Sequence, residues 1–136
     1  MKAINLTPHQ ITLYKEDGTK IEIPSSGTTR LKENVQEIGY PYTVVKSFGD
    51  IEVKYNENPV LVEISKEYPY MIMVIVSSIA LDALYEAKKY EFPLHEIIGD
   101  AAAWIFVAPD TGPDSAVRDE NGRITGIKRF YVKPIN

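Results

Sequence analysis

Met71-Ile72-Met73-Val74-Ile75-Val76-Ser77-Ser78-Ile79-Ala80-Leu81-Asp82-Ala83-Leu84 is the stretch that decides the fold. Its first six residues are apolar without interruption, as expected of a strand covered on both faces in the middle of a sheet. Ser77 and Ser78 then stand at the place of a helix cap. Ile79, Leu81, Ala83 and Leu84 supply an apolar stripe, and Asp82, Glu86, Lys88 and Lys89 are left for solvent. Phe92-Pro93 ends that helix, Leu94 to Asp100 has room for a short second one, and Trp104 to Val107 is the next apolar strand. Strand, helix, strand in this order predicts a right-handed crossover between two parallel strands.

Outward from this unit the chain reads as β-structure. Ile4, Leu6, Ile11 and Leu13 keep strand spacing around Thr7-Pro8-His9-Gln10, and Ile21 and Ile23 resume it beyond an Asp17-Gly18 turn. Pro8 has no N–H for a ladder and belongs at a bend or an edge. Thr43-Val44-Val45, Ile51 with Val53, and Val60 to Ile64 are further strands, while Leu31, Val35 and Ile38 have a spacing that also suits one or two helical turns. At the far end, Ala116 to Asp119 and Arg123 to Val132 flank Asn121-Gly122, the strongest short hairpin signal in the chain. The expectation is an α+β fold: one domain over residues 1–136, a mixed sheet with N-terminal and C-terminal hairpins, and one central crossover.

The bulk numbers narrow the function. A formal net charge of −4, without any run of lysines or arginines, lacks the electrostatic footprint of a duplex-binding protein. There are no cysteines, so disulfides, thiolate metal sites and cysteine nucleophiles are excluded. The start turns polar too soon for a secretory leader and Met71 to Val76 is too short to span a bilayer, so the expected compartment is the cytoplasm. Phosphate loops ending in Lys-Ser or Lys-Thr, Gly-x-Ser-x-Gly elbows and His-Glu-x-x-His helices are all missing from the sequence. No resident metal or cofactor is expected.

In a parallel pair joined by a helix, the loops leaving both strands fall on one edge, which is where open α/β sheets hold ligands. Here those loops are Ser77-Ser78 and Pro109 to Ser115. The first opens a helix, whose N–H groups and dipole favour an anion. The second offers Gly112 for close backbone approach, hydroxyls on Thr111 and Ser115, and the carboxylates of Asp110 and Asp114. Two aspartates could hold Mg²⁺ or sugar hydroxyls, but they make a weak metal signal and are better suited to bonding their own turn. Arg118 follows within a few residues and could clamp a phosphate or carboxylate bidentately, or pair with Asp119 or Glu120. His9 is one of two histidines, the residue type suited to general acid or base work, whereas His95 sits in a loosely patterned connection.

Asn5-Leu6-Thr7-Pro8-His9, the turn Pro24-Ser25-Ser26-Gly27, and Val107-Ala108-Pro109-Asp110-Thr111-Gly112-Pro113 leading into Ala116-Val117-Arg118-Asp119-Glu120-Asn121-Gly122-Arg123-Ile124 together resemble a family of small uncharacterised bacterial and phage proteins. The resemblance implies no established activity. It does imply that His9, the Asp110 to Pro113 loop and Arg118 matter jointly, and it brings a phage setting into view.

Three functions are therefore weighed. The favoured one is binding without turnover of a small anionic molecule, a nucleotide or cyclic nucleotide, by His9, Ser77, Ser78, Asp110, Thr111, Gly112, Ser115 and Arg118; in a phage such a protein would sequester a host immune signal. The second is a small phosphoesterase-like hydrolase with His9 as acid or base, Asp110 orienting water or a metal, and Arg118 stabilising transition-state charge. The third is a protein-interaction module that uses an aromatic surface. Self-association to complete the crevice is expected of the first two.

Overall fold

The computed structural model describes residues 1–87 and 103–133, with backbone alone for 31–37, 42–51, 86 and 87. The expected helix end at Phe92-Pro93, the short helix from Leu94 to Asp100, and His95 lie outside the described residues.

Alternation of apolar residues builds the central sheet. Strand β1 (Lys2–Asn5) lies between β6 (Val62–Glu63), antiparallel to it, and β7 (Met71–Ile75), parallel to it. β8 (Ala103–Pro109) runs parallel to β7, with Ile75 opposite Val107, and β11 (Phe130–Tyr131) closes the far edge antiparallel to β8. The sheet order is β11-β8-β7-β1-β6, so the strands before and after α1 (Ser78–Ala87) are parallel neighbours. On one face Ile4, Leu6, Ile72, Val74, Val76, Phe106 and Ala108 pack with Ala80, Leu81 and Leu84 of the helix. Leu81 and Leu84 are fully buried there, each stabilising the domain by about 2 kcal/mol.

The other face, made by Ala3, Met73, Ile75 and Val107, meets Leu13, Ile23 and Ile127 of a second sheet. That sheet contains β2 (Ile11–Tyr14), β3 (Lys20–Ile23), β9 (Ala116–Arg118) and β10 (Ile124–Ile127), in the order β3-β2-β10-β9. Both expected hairpins are present: β2 with β3 around Gly18 and β9 with β10 around Gly122, and both glycines take the positive φ that a side chain would resist. The two hairpins join through β2 and β10, which are parallel. The described residues thus form a mostly β structure with one short helix, an α+β arrangement in the loose sense.

Three readings of the chain need correction. Leu31, Val35 and Ile38 are not helical: β4 (Gly27–Gly39) and β5 (Tyr42–Tyr55) form one long ribbon, turning at Tyr40-Pro41 through a cis peptide. Thr43-Val44-Val45 and Ile51 with Val53 are not separate strands but parts of β5, whose ladder with β4 absorbs the irregularity between them as bulges. Finally, Arg123 to Val132 is not one strand. Buried Ser115 accepts the Lys128 N–H on its carbonyl (2.9 Å) and hydroxyl (3.1 Å) and the Arg129 N–H on its hydroxyl (3.0 Å), and the chain crosses to the other sheet as β11.

Candidate functional site

Three parallel neighbours end on one edge. Beyond β1 comes the bend Thr7-Pro8-His9, beyond β7 come Ser77 and the start of α1, and beyond β8 comes the loop from Asp110 to Ser115. At a strand spacing of about 4.8 Å, the ends of β1 and β8 stand roughly 10 Å apart, with the end of β7 between them.

The first loop is fixed by Asn5, a fully buried polar residue in an apolar strand. Its carboxamide donates to the carbonyls of His9 (2.8 Å) and Ile23 (3.1 Å) and accepts from the Thr7 N–H (3.0 Å) and hydroxyl (2.6 Å). All four of its hydrogen-bonding capacities are used. The Ser25 hydroxyl donates to the Thr7 carbonyl at 2.5 Å, tying the Pro24 to Gly27 turn to the same bend. His9 is left with an exposed side chain on a rigid support.

At the second loop the Ser77 hydroxyl accepts the Ala80 N–H at 3.2 Å, a conventional N-cap. The N–H groups of Ser78 and Ile79 have no intrahelical acceptor, and no acidic residue occupies the first turn. Ser77, Ser78 and Ile79 are all exposed.

In the third loop the Asp110 carboxylate accepts the Gly112 N–H at 2.9 Å, an Asx turn. Its other oxygen lies 3.9 Å from the Arg129 guanidinium, and the Asp110 N–H bonds the Arg129 carbonyl at 3.1 Å. Ser115 is fully buried and donates to the Arg129 carbonyl, so its hydroxyl serves the fold and faces no solvent. Thr111 is exposed, and Asp114 is exposed without a metal-binding neighbourhood: among the described residues no group of three or more His, Asp and Glu could hold an ion.

The structure does not bring Arg118 to this edge. Its guanidinium donates to the Gly122 carbonyl at 2.6 Å and clasps its own hairpin turn. The cation beside the Asp110 loop is Arg129, which sequence reasoning missed because it lay inside what read as a single strand. Asn5 was also given no role, although a lone polar residue in a strand of buried apolar neighbours was a signal for one. A groove of 410 Å³, lined by Leu13, Tyr14, Lys15, Glu16, Asp17, Ile64, Ser65 and Lys128, includes no residue of the three loops.

No protein-family model, curated protein or solved structure matches the chain. No helix among the described residues is long and apolar enough to cross a membrane.

Proposed function

We propose that this protein binds a small anionic ligand, a nucleotide or cyclic nucleotide, at the edge where β1, β7 and β8 end. The observation that supports it is the convergence of three parallel strand ends, one of them opening a helix with free N–H groups and no acidic first turn. Ser78 and Ile79 N–H groups and Thr111 receive the anion, Arg129 supplies the positive charge, and the exposed His9 ring bounds the far side. Asn5, Asp110 and Ser115 hold the loops. Binding without turnover is favoured over hydrolysis because Asp110 is engaged by Gly112 and Arg129, and Arg118 by Gly122. A phage-encoded copy would act by sequestering its ligand.

The test is thermal unfolding against mono-, di- and cyclic nucleotides, with chromatography of any hit. Stabilisation by an intact nucleotide is expected, about 2.7 kcal/mol and so on the order of 10 °C at a hundredfold excess over Kd. Arg129→Ala should weaken it, while Arg118→Ala should leave it. An altered ligand would mean an enzyme.

A second reading, a protein-interaction module, is favoured by the tip of the β4–β5 ribbon. Ile38 is 63% exposed and Tyr40 fully so, beside an exposed Pro41. If no nucleotide stabilises the protein, Ile38→Ser with Tyr40→Ser is the pair to test for loss of a bound partner.

A further inference from the structure

Two turns of this protein place a glycine of positive φ after a residue that can cyclise onto it: Asp17-Gly18, with φ of 85°, and Asn121-Gly122, with φ of 78°. A glycine offers its N–H to the preceding side chain without a Cβ in the way, and in neither turn would a Cβ at the glycine meet any neighbour within 4 Å. The two differ in what holds the electrophile. The Asp17 carboxylate accepts from the Thr19 N–H at 2.9 Å and from its hydroxyl, and as an anion it resists attack. The Asn121 carboxamide is uncharged and exposed, and it makes no hydrogen bond; only its backbone N–H is engaged, by the Asp119 carboxylate.

The other asparagines with described side chains are protected. Asn5 is buried and has its amide nitrogen on two carbonyls. Asn56 is followed by Glu57 and donates to the Ser25 carbonyl. Asn58 is followed by Pro59, which has no N–H to attack with.

We propose that Asn121 is a self-modifying site of this protein, converting spontaneously to a mixture of aspartate and isoaspartate. The Gly122 nitrogen gives up its proton and forms a bond to Asn121 Cγ; the Cγ–Nδ2 bond breaks and ammonia leaves with that proton. Water then opens the five-membered imide at either carbonyl, and no electrons are exchanged with any other reagent. The Gly122 N–H is held by the Asp119 carbonyl at 3.1 Å, so conversion requires the turn to open and proceeds more slowly than in a free peptide. The product puts a new carboxylate beside Asp119 and Glu120, and the isoaspartyl form adds a methylene to the turn that Arg118 clasps through Gly122. The consequence is an ageing C-terminal hairpin whose register, Arg118 opposite Ile124, is lost with time.

The experiment is incubation of the folded full-length protein at mildly alkaline pH and 37 °C, followed by peptide mapping and enzymatic isoaspartyl methylation. The methyl acceptor is expected in the peptide that contains residue 121, forming on the order of tenfold faster than at Asn56. Asn121→Gln, whose longer chain cannot close the same ring, should abolish it without disturbing the fold by circular dichroism. Thr19→Val should raise isomerisation at Asp17 by removing the hydroxyl bond to its carboxylate and leaving only the N–H one. Absence of conversion at Asn121, equal conversion at Asn56, or persistence of the signal in Asn121→Gln would each overturn the proposal.

Discussion

The buried Asn5 carboxamide holds the His9 carbonyl at 2.8 Å, so the bend that carries the exposed histidine is anchored from inside the core. Asn5→Leu keeps the volume but leaves the Thr7 N–H without its acceptor and takes the amide donor from the carbonyls of Ile23 and His9, of which the His9 carbonyl keeps the Thr7 hydroxyl at 3.1 Å. A loss of about 2–4 kcal/mol is expected in urea unfolding, since each buried group left without its partner costs about 1–3 kcal/mol before relaxation. A loss below half a kcal/mol would mean that the bend holds itself.

Ser115 should behave as a structural residue. Ser115→Ala removes the acceptor of the Arg129 N–H at the point where the chain changes sheets, while the Lys128 N–H keeps the residue 115 carbonyl at 2.9 Å. Destabilisation of about 1–3 kcal/mol is expected, whereas Thr111→Ala, at an exposed position, should stay within about 0.5 kcal/mol of the parent. Equal effects would remove the distinction.

Two glycines give a paired test of packing. A Cβ on Gly126 would lie 2.4 Å from the Tyr14 ring and 2.7 Å from the Thr12 carbonyl oxygen. The ring can swing away but the backbone oxygen cannot, so Gly126→Ala should cost about 1–3 kcal/mol and Tyr14→Ala should rescue it only in part. Gly112→Ala meets only the Asp110 carboxylate, at 3.1 Å, and its melting temperature should fall far less.

Asp17 gives a prediction in pH. The Thr19 hydroxyl, then its N–H, favours the ionised carboxylate and holds its pKa below the usual 3.8. Such a group stabilises the fold at pH above its unfolded pKa, and the contribution disappears as pH falls through the lower folded value. A carbon-detected NMR titration should find Asp17 titrating below 3.8 in the folded protein, and Thr19→Val should move it upward. A midpoint at or above that value in the parent would contradict the assignment.

What could be read in the sequence was the local part of the fold. Met71 to Ile75 and Ser77 announced strand and cap through an unbroken apolar run and a hydroxyl at the right place. Asp17-Gly18 and Asn121-Gly122 announced their turns through backbone chemistry alone. The long ribbon was hidden because Leu31, Val35 and Ile38 satisfy helical spacing as well as a bulged ladder, and only the partner strand decides between them. For the site, the loops were legible but the cation was not. Arg118 is near the Asp110 loop in sequence, whereas Arg129 reaches it through the pairing of Phe130 with Pro109, which no periodicity records.

The position of β1 dictates the order of assembly. Its ladder partners are Val62, Glu63 and the strand from Ile72 to Ile75, so β1 is an inner strand synthesised before either of its neighbours. Parallel pairing of Lys2 with Ile72 closes a loop of about 70 residues, a slow step for which local structure offers no shortcut. Until then the apolar residues Ala3, Ile4 and Leu6, all buried at the end, stand open to water and to other chains. Folding is therefore expected to be limited by the capture of β1, and chaperone dependence should track how long that capture takes.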